Sequence, residues 1–98
     1  MNTIYYGCSN RLSFPAFPVA RDEVDELGCV IEQDGEEKIT KGTEAILWWD
    51  EDKTMRIALT AEDTMALEQG REAQVQLSCK TYGGTTLKSY VYTAFVSW

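Results

Sequence analysis

The chain has 98 residues, 44% apolar and 26% charged, with 9 basic residues, 16 acidic residues and no histidine, for a net charge of −7. A chain of this size encloses one core without metal or disulfide staples, so residues 1–98 are read as one domain, and the composition excludes a disordered chain. The acidic balance excludes direct nucleic-acid binding, which needs a basic face, and the missing histidine excludes an imidazole base.

In chain order, Ile4-Tyr5-Tyr6 and Leu12-Ser13-Phe14 read as short strands separated by Gly7 and Asn10. Met1–Tyr6 has neither the basic start nor the apolar stretch of a secretory leader. No run reaches the roughly 20 apolar residues of a membrane span, so no membrane partner is expected. Phe14-Pro15-Ala16-Phe17-Pro18-Val19 carries two prolines that donate nothing to a ladder, which predicts an edge strand or an extended strip packed on the sheet. Arg21–Glu26 reads as a charged connector. Leu27–Gln33 alternates with Leu27, Cys29 and Ile31 on one face, Asp34-Gly35 signals a turn, and Glu36–Lys41 reads as the returning arm.

Ala45–Trp49 is a further apolar run, closed by the acidic turn Asp50-Glu51-Asp52-Lys53, and Met55, Ile57 and Leu59 mark the next strand. Thr60-Ala61-Glu62-Asp63 predicts a capped helix near residues 61–68, with Asp63 in the capping-box position and Gly70 downstream. Arg71–Trp98 then reads as one long hairpin. Ala73, Val75, Leu77 and Cys79 form an apolar stripe of period two. A two-residue turn at Gly83-Gly84 sets Leu77 opposite Tyr90, Val75 opposite Tyr92 and Ala73 opposite Ala94. Seven or eight short strands with one helical crossover indicate an all-β sandwich.

Few residues carry chemistry. Cys8, Cys29 and Cys79 are odd in number and widely spaced, so they are read as reduced thiols, with Cys79 in the core. Lys80 follows Cys79 but belongs to the other face of the strand. The acidic groups at 22–26, 34–37 and 50–52 match no calcium-loop spacing and read as solvated turns. A carboxylate pair of the glycosidase kind lacks a cleft to work in. No catalytic residue, cofactor or metal is expected. The aromatics are more informative. Neighbouring strand residues face opposite ways, so one of Trp48 and Trp49 leaves the core, and the same holds for Tyr90 and Val91. Trp48, Trp49, Tyr90 and Tyr92 are the candidate protein-interface residues.

Residues Met55–Phe95, with Ile57-Ala58-Leu59-Thr60 leading into Ala61-Glu62-Asp63-Thr64, then Leu67, Gly70 and a strand–glycine turn–strand, form a recognisable set. This segment of about 40 residues resembles the small immunoglobulin-like β-sandwich domains of bacteriophage and prophage structural proteins, such as the amino-terminal domains of baseplate upper proteins. The Phe14–Pro18 segment departs from that pattern. The resemblance implies an immunoglobulin-like antiparallel sandwich and a non-enzymatic structural or assembly protein of a phage tail, neck or baseplate. It would act through contacts with itself, other phage components or a host protein. Its expected location is the host bacterial cytoplasm and then the virion. The alternative is a small acidic inhibitor of a host defence protein, mimicking nucleic acid. Carbohydrate binding through exposed aromatics is a third, weaker expectation.

Overall fold

The computed structural model describes residues 2–98. Two sheets face each other. The larger has strand order β1 (Asn2–Ile4), β9 (Tyr92–Val96), β7 (Glu72–Thr81), β3 (Val24–Gln33), β4 (Glu36–Lys41), with β8 (Thr86–Lys88) also paired to β7. The smaller has the order β2 (Asn10–Pro15), β6 (Thr54–Leu59), β5 (Ile46–Trp49). Every pairing is antiparallel except that of β1 with β9. This division of consecutive strands between sheets is the arrangement of an immunoglobulin-type sandwich. A short helix α1 (Ala61–Met65) carries the chain from the small sheet to the large one.

Strand alternation builds the core. Leu12 and Phe14 of β2, Met55, Ile57 and Leu59 of β6, and Ile46 of β5 face inward from the small sheet. Leu27, Cys29 and Ile31 of β3 and Ala73, Val75, Leu77 and Cys79 of β7 face them from the large one. Each fully enclosed aliphatic side chain of this kind contributes about 1.5–3 kcal/mol. Asp34 and Gly35 take positive φ angles of 54° and 76° between the paired residues Gln33 and Glu36. That conformation matches the twist of the strands it joins.

Thr60 and Asp63 form the expected capping box, with Thr60 N–H donating to Asp63 Oδ2 at 2.8 Å and Asp63 N–H to Thr60 Oγ1 at 3.1 Å. The helix ends at Met65, short of residue 68, and Met65 lies exposed while Leu67 fills the core. Strand β3 begins at Val24, which is buried, so the charged connector is confined to the short 3₁₀ turn Arg21–Glu23 and its flanks. At the amino terminus β1 stops at Ile4. Asn10 then organises the turn, its amide accepting from Tyr5 N–H and donating to the carbonyls of Tyr5 and Cys8, all at 2.9 Å.

The last hairpin departs from its expected register over half its length. Val75 opposes Tyr92 and Ala73 opposes Ala94, as the pattern indicates. The loop, however, has three residues: Thr81 N–H donates to Thr85 O at 2.9 Å, and Tyr82, Gly83 and Gly84 lie between. Gly84 alone takes the left-handed conformation, at φ 89°. Cys79 therefore opposes Leu87, and Leu77 meets Ser89 in place of Tyr90, with Ser89 N–H donating to Leu77 O at 2.9 Å. From Ser78–Lys88 to Val75–Tyr92, β7 advances three residues and the return arm four. The one extra residue is a bulge, which restores the register and divides the arm into β8 and β9. That division is why nine strand segments are found among the described residues.

Candidate functional site

The bulge decides the surface. Ser89 holds its two ends: its hydroxyl accepts from Leu77 N–H at 2.9 Å and donates to Tyr90 O at 2.7 Å. With Ser89 pinned, Tyr90 and Val91 have no ladder position and both turn outward, at 87% and 58% exposure. Only one of them was expected to leave the core. The strict alternation fails because a bulged residue no longer obeys the pleat.

Tyr92 re-enters the ladder and packs inward, its ring centroid 4.7 Å from that of Phe14. Opposite this arm runs the proline strip. Strand β2 ends at Pro15, an edge position where a missing N–H costs nothing. Ala16 N–H donates to Lys53 O at 2.8 Å, Phe17 is buried, and Pro18 stays exposed. The segment is thus an edge strand that continues as a packed strip. Between strip and bulge lies an open, mainly apolar groove of about 620 Å³, walled by Pro15–Pro18 on one side and Lys88, Ser89, Tyr90 and Tyr92 on the other.

The four candidate aromatics therefore divide between surfaces. Tyr90 and Tyr92 line the groove. Trp48 packs behind its wall, with its ring 6.1 Å from Phe17, and its indole N–H is buried without an acceptor among the described residues. Trp49 leaves the core on the outer face of the small sheet and lies under the Arg56 guanidinium, 4.3 Å from ring centroid to carbon. Trp48 and Trp49 thus divide as adjacent strand residues must. Sequence reasoning missed the Pro15–Pro18 wall as part of a site. Its signal was the proline pair itself, which keeps a strip off the sheet ladder.

The remaining chemistry is modest. Burial pushes the Cys29 thiol up to about 12 and the Cys79 thiol upward as well, so both are poor nucleophiles, while Cys8 is exposed. Among the described residues no three His, Cys, Asp or Glu side chains gather as a metal site. Among the described residues no helix is long and apolar enough to cross a membrane.

No family model and no curated protein matches the sequence. Among solved structures, the whole chain aligns with part of a candidate glycoside hydrolase from Bacteroides vulgatus, at 17% identity and a TM-score of 0.50. The chain spans only 17% of that protein's length. The V domain of amphioxus IgVJ-C2 aligns over 96% of this chain and 97% of its own, at 13% identity and a TM-score of 0.38, a likeness too low to carry an argument. What the first of these likenesses supports is the fold alone, a small all-β sandwich.

Proposed function

We propose that this chain is a non-enzymatic protein-binding sandwich, an assembly component of a phage or prophage particle associated with its tail, neck or baseplate. The observation that carries the binding role is Tyr90, an aromatic ring 87% exposed on a pinned bulge beside an apolar groove. Folding makes no use of that ring, whereas a partner would, since tyrosine brings a large rigid surface at low entropic cost. The phage assignment is supported by the resemblance of Met55–Phe95. The non-enzymatic part is supported by the two buried, deactivated thiols and by carboxylates distributed over exposed turns. On this reading the chain resides in the host cytoplasm and then in the particle.

The experiment is Tyr90→Ala in a host producing the particle, with a tagged chain and identification of the captured proteins. Capture of tail, neck or baseplate proteins is expected to fall at least about tenfold. The melting temperature is expected to move by no more than about 4 °C. Undiminished capture, or a protein that melts far earlier, overturns the reading.

One observation favours the second reading, an acidic inhibitor of a host defence protein. Arg21 N–H donates to both oxygens of Asp50, at 3.2 and 3.3 Å, bringing the 22–26 and 50–52 carboxylates to one end of the molecule. Charge reversal at Glu51 and Asp52 separates the two: a mimic loses its host target, and a packing domain keeps its groove partner.

A further inference from the structure

The outer face of the small sheet is unlike the rest of this acidic surface. Its outward positions are Arg11, Ser13 and Pro15 on β2, Thr54, Arg56 and Ala58 on β6, and Leu47 and Trp49 on β5. None of these positions is a carboxylate in a chain that has 16. At the edge of the face Glu44 lines one pocket with Arg11 and Arg56, and among the described residues it forms no salt bridge with either. Register places Arg56 between Ser13 and Leu47, with Arg11 on the diagonal opposite Ala58. Lys38, Lys41 and Arg71 have carboxylate partners; among the described residues Arg11 and Arg56 have none, as is also the case for Arg21, Lys53, Lys80 and Lys88. Trp49 supports the Arg56 guanidinium from below, which leaves the N–H fork free to meet an anion. Leu47, 55% exposed, adds an apolar neighbour to the same face.

The complement of this face lies on the chain itself. The Arg21–Asp50 bonds gather the exposed carboxylates of 22–26 and 50–52 beyond the end of the small sheet where Trp49 and Thr54 pair. Arg11 stands at the Ala58 level, away from that end, while the Arg56 guanidinium reaches over Trp49.

We propose that the outer face of the β2–β6–β5 sheet receives the acidic end of a second copy of this chain. The contact is head-to-tail: arginines and Trp49 of one copy meet the 22–26 and 50–52 carboxylates of the next. Such a contact uses two different patches, so it repeats into a ring or a filament. It names the partner within the assembly reading and rests on that reading, while using a surface that meets the Tyr90 groove only at Pro15.

The test is native mass by light scattering over a concentration series. Two variants are used: Arg11→Ser/Arg56→Ser, which neutralises the face, and Asp25→Asn/Glu26→Gln/Glu51→Gln/Asp52→Asn, which neutralises the end. Asp50 and Glu23 are kept because their carboxylates hold the backbone N–H groups of Arg21 and Ala20. Melting curves confirm that both variants fold. The natural chain is expected to associate, with an association constant falling on the order of tenfold between about 0.05 and 0.5 M salt. Each variant alone is expected to be monomeric. An equimolar mixture is expected to stop at a dimer, because one intact face meets one intact end. A natural chain that stays monomeric, a face variant that associates like the natural chain, or a mixture that does not pair overturns the proposal. The Tyr90 capture experiment decides the assembly reading separately.

Discussion

The side-chain amide of Gln33 makes both of its hydrogen bonds to the backbone of one residue, Glu68: Nε2 donates to the carbonyl at 3.1 Å and Oε1 accepts from the N–H at 2.6 Å. Gln33 is 2% exposed at the end of β3, and the bond joins the β3–β4 hairpin to the segment leaving α1. Arg71 reinforces the same junction through Asp34 at 2.7 Å, but that pair is half exposed and contributes little. Gln33→Ala removes the side-chain partner of Glu68 N–H and is expected to cost about 1–3 kcal/mol. Denaturant unfolding measures it. Arg71→Ala in the same assay is expected to cost less than about 1 kcal/mol.

Gly70 and Trp98 form the second close contact. Gly70 sits at φ 72°, and a Cβ there would lie 2.1 Å from the Trp98 ring. Trp98 is 85% exposed, so its ring is free to swing aside. Gly70→Ala is therefore expected to cost mainly the left-handed backbone term of about 1–2 kcal/mol. Denaturant unfolding is expected to show nearly the same loss in a Trp98→Ala background. A loss that Trp98→Ala largely rescues would contradict this account of the contact.

Acid stability is expected to depend on Asp63. Burial pushes its carboxyl up, but the Lys41 side chain and the Thr60 backbone and hydroxyl outweigh it, leaving the group below the ordinary 3.8. Lys41 Nζ lies 2.6 Å from Asp63 Oδ2. With the folded value below the unfolded one, the contribution is complete above the unfolded value and is lost as pH falls through the folded value. Asp63→Asn is therefore expected to destabilise the domain at neutral pH and to matter progressively less as pH falls below the ordinary 3.8. Thermal melts across that range check it.

Thiol reactivity separates the cysteines. Cys8 is exposed, and the buried Cys29 and Cys79 thiols are shifted upward. A maleimide or iodoacetamide at pH about 8 is expected to label one thiol in the native state and all three after unfolding. Rapid native labelling of a second thiol would show that the sandwich opens around β3 or β7.

Much of this architecture was legible because local chemistry agrees with the fold. Asp34-Gly35 demanded a two-residue turn, Thr60 with Asp63 demanded a helix start, and the period-two stripes named the inward faces of β3, β6 and β7. The resemblance of Met55–Phe95 pointed to the immunoglobulin-like form of the sandwich. The return arm was misread at Tyr90 because glycine pairs permit loops of two or three residues. The difference of one residue is absorbed by a bulge that nothing in the alternation announces. Pairing β1 parallel to β9 was equally hidden, since a three-residue strand carries no pattern that distinguishes its partner. The groove was illegible for the same reason. It exists only where the proline strip, distant in sequence, lies across from that bulge.

The bulge is where the binding role is best tested, by placing a photo-crosslinking phenylalanine analogue at position 90 and at the exposed hairpin position Thr86 as a control. Irradiation in particle-producing cells is expected to join the position-90 chain to a tail, neck or baseplate protein, and to leave the Thr86 control uncoupled. Equal crosslinking from both positions, or none from position 90, would contradict a binding role for Tyr90 and its groove.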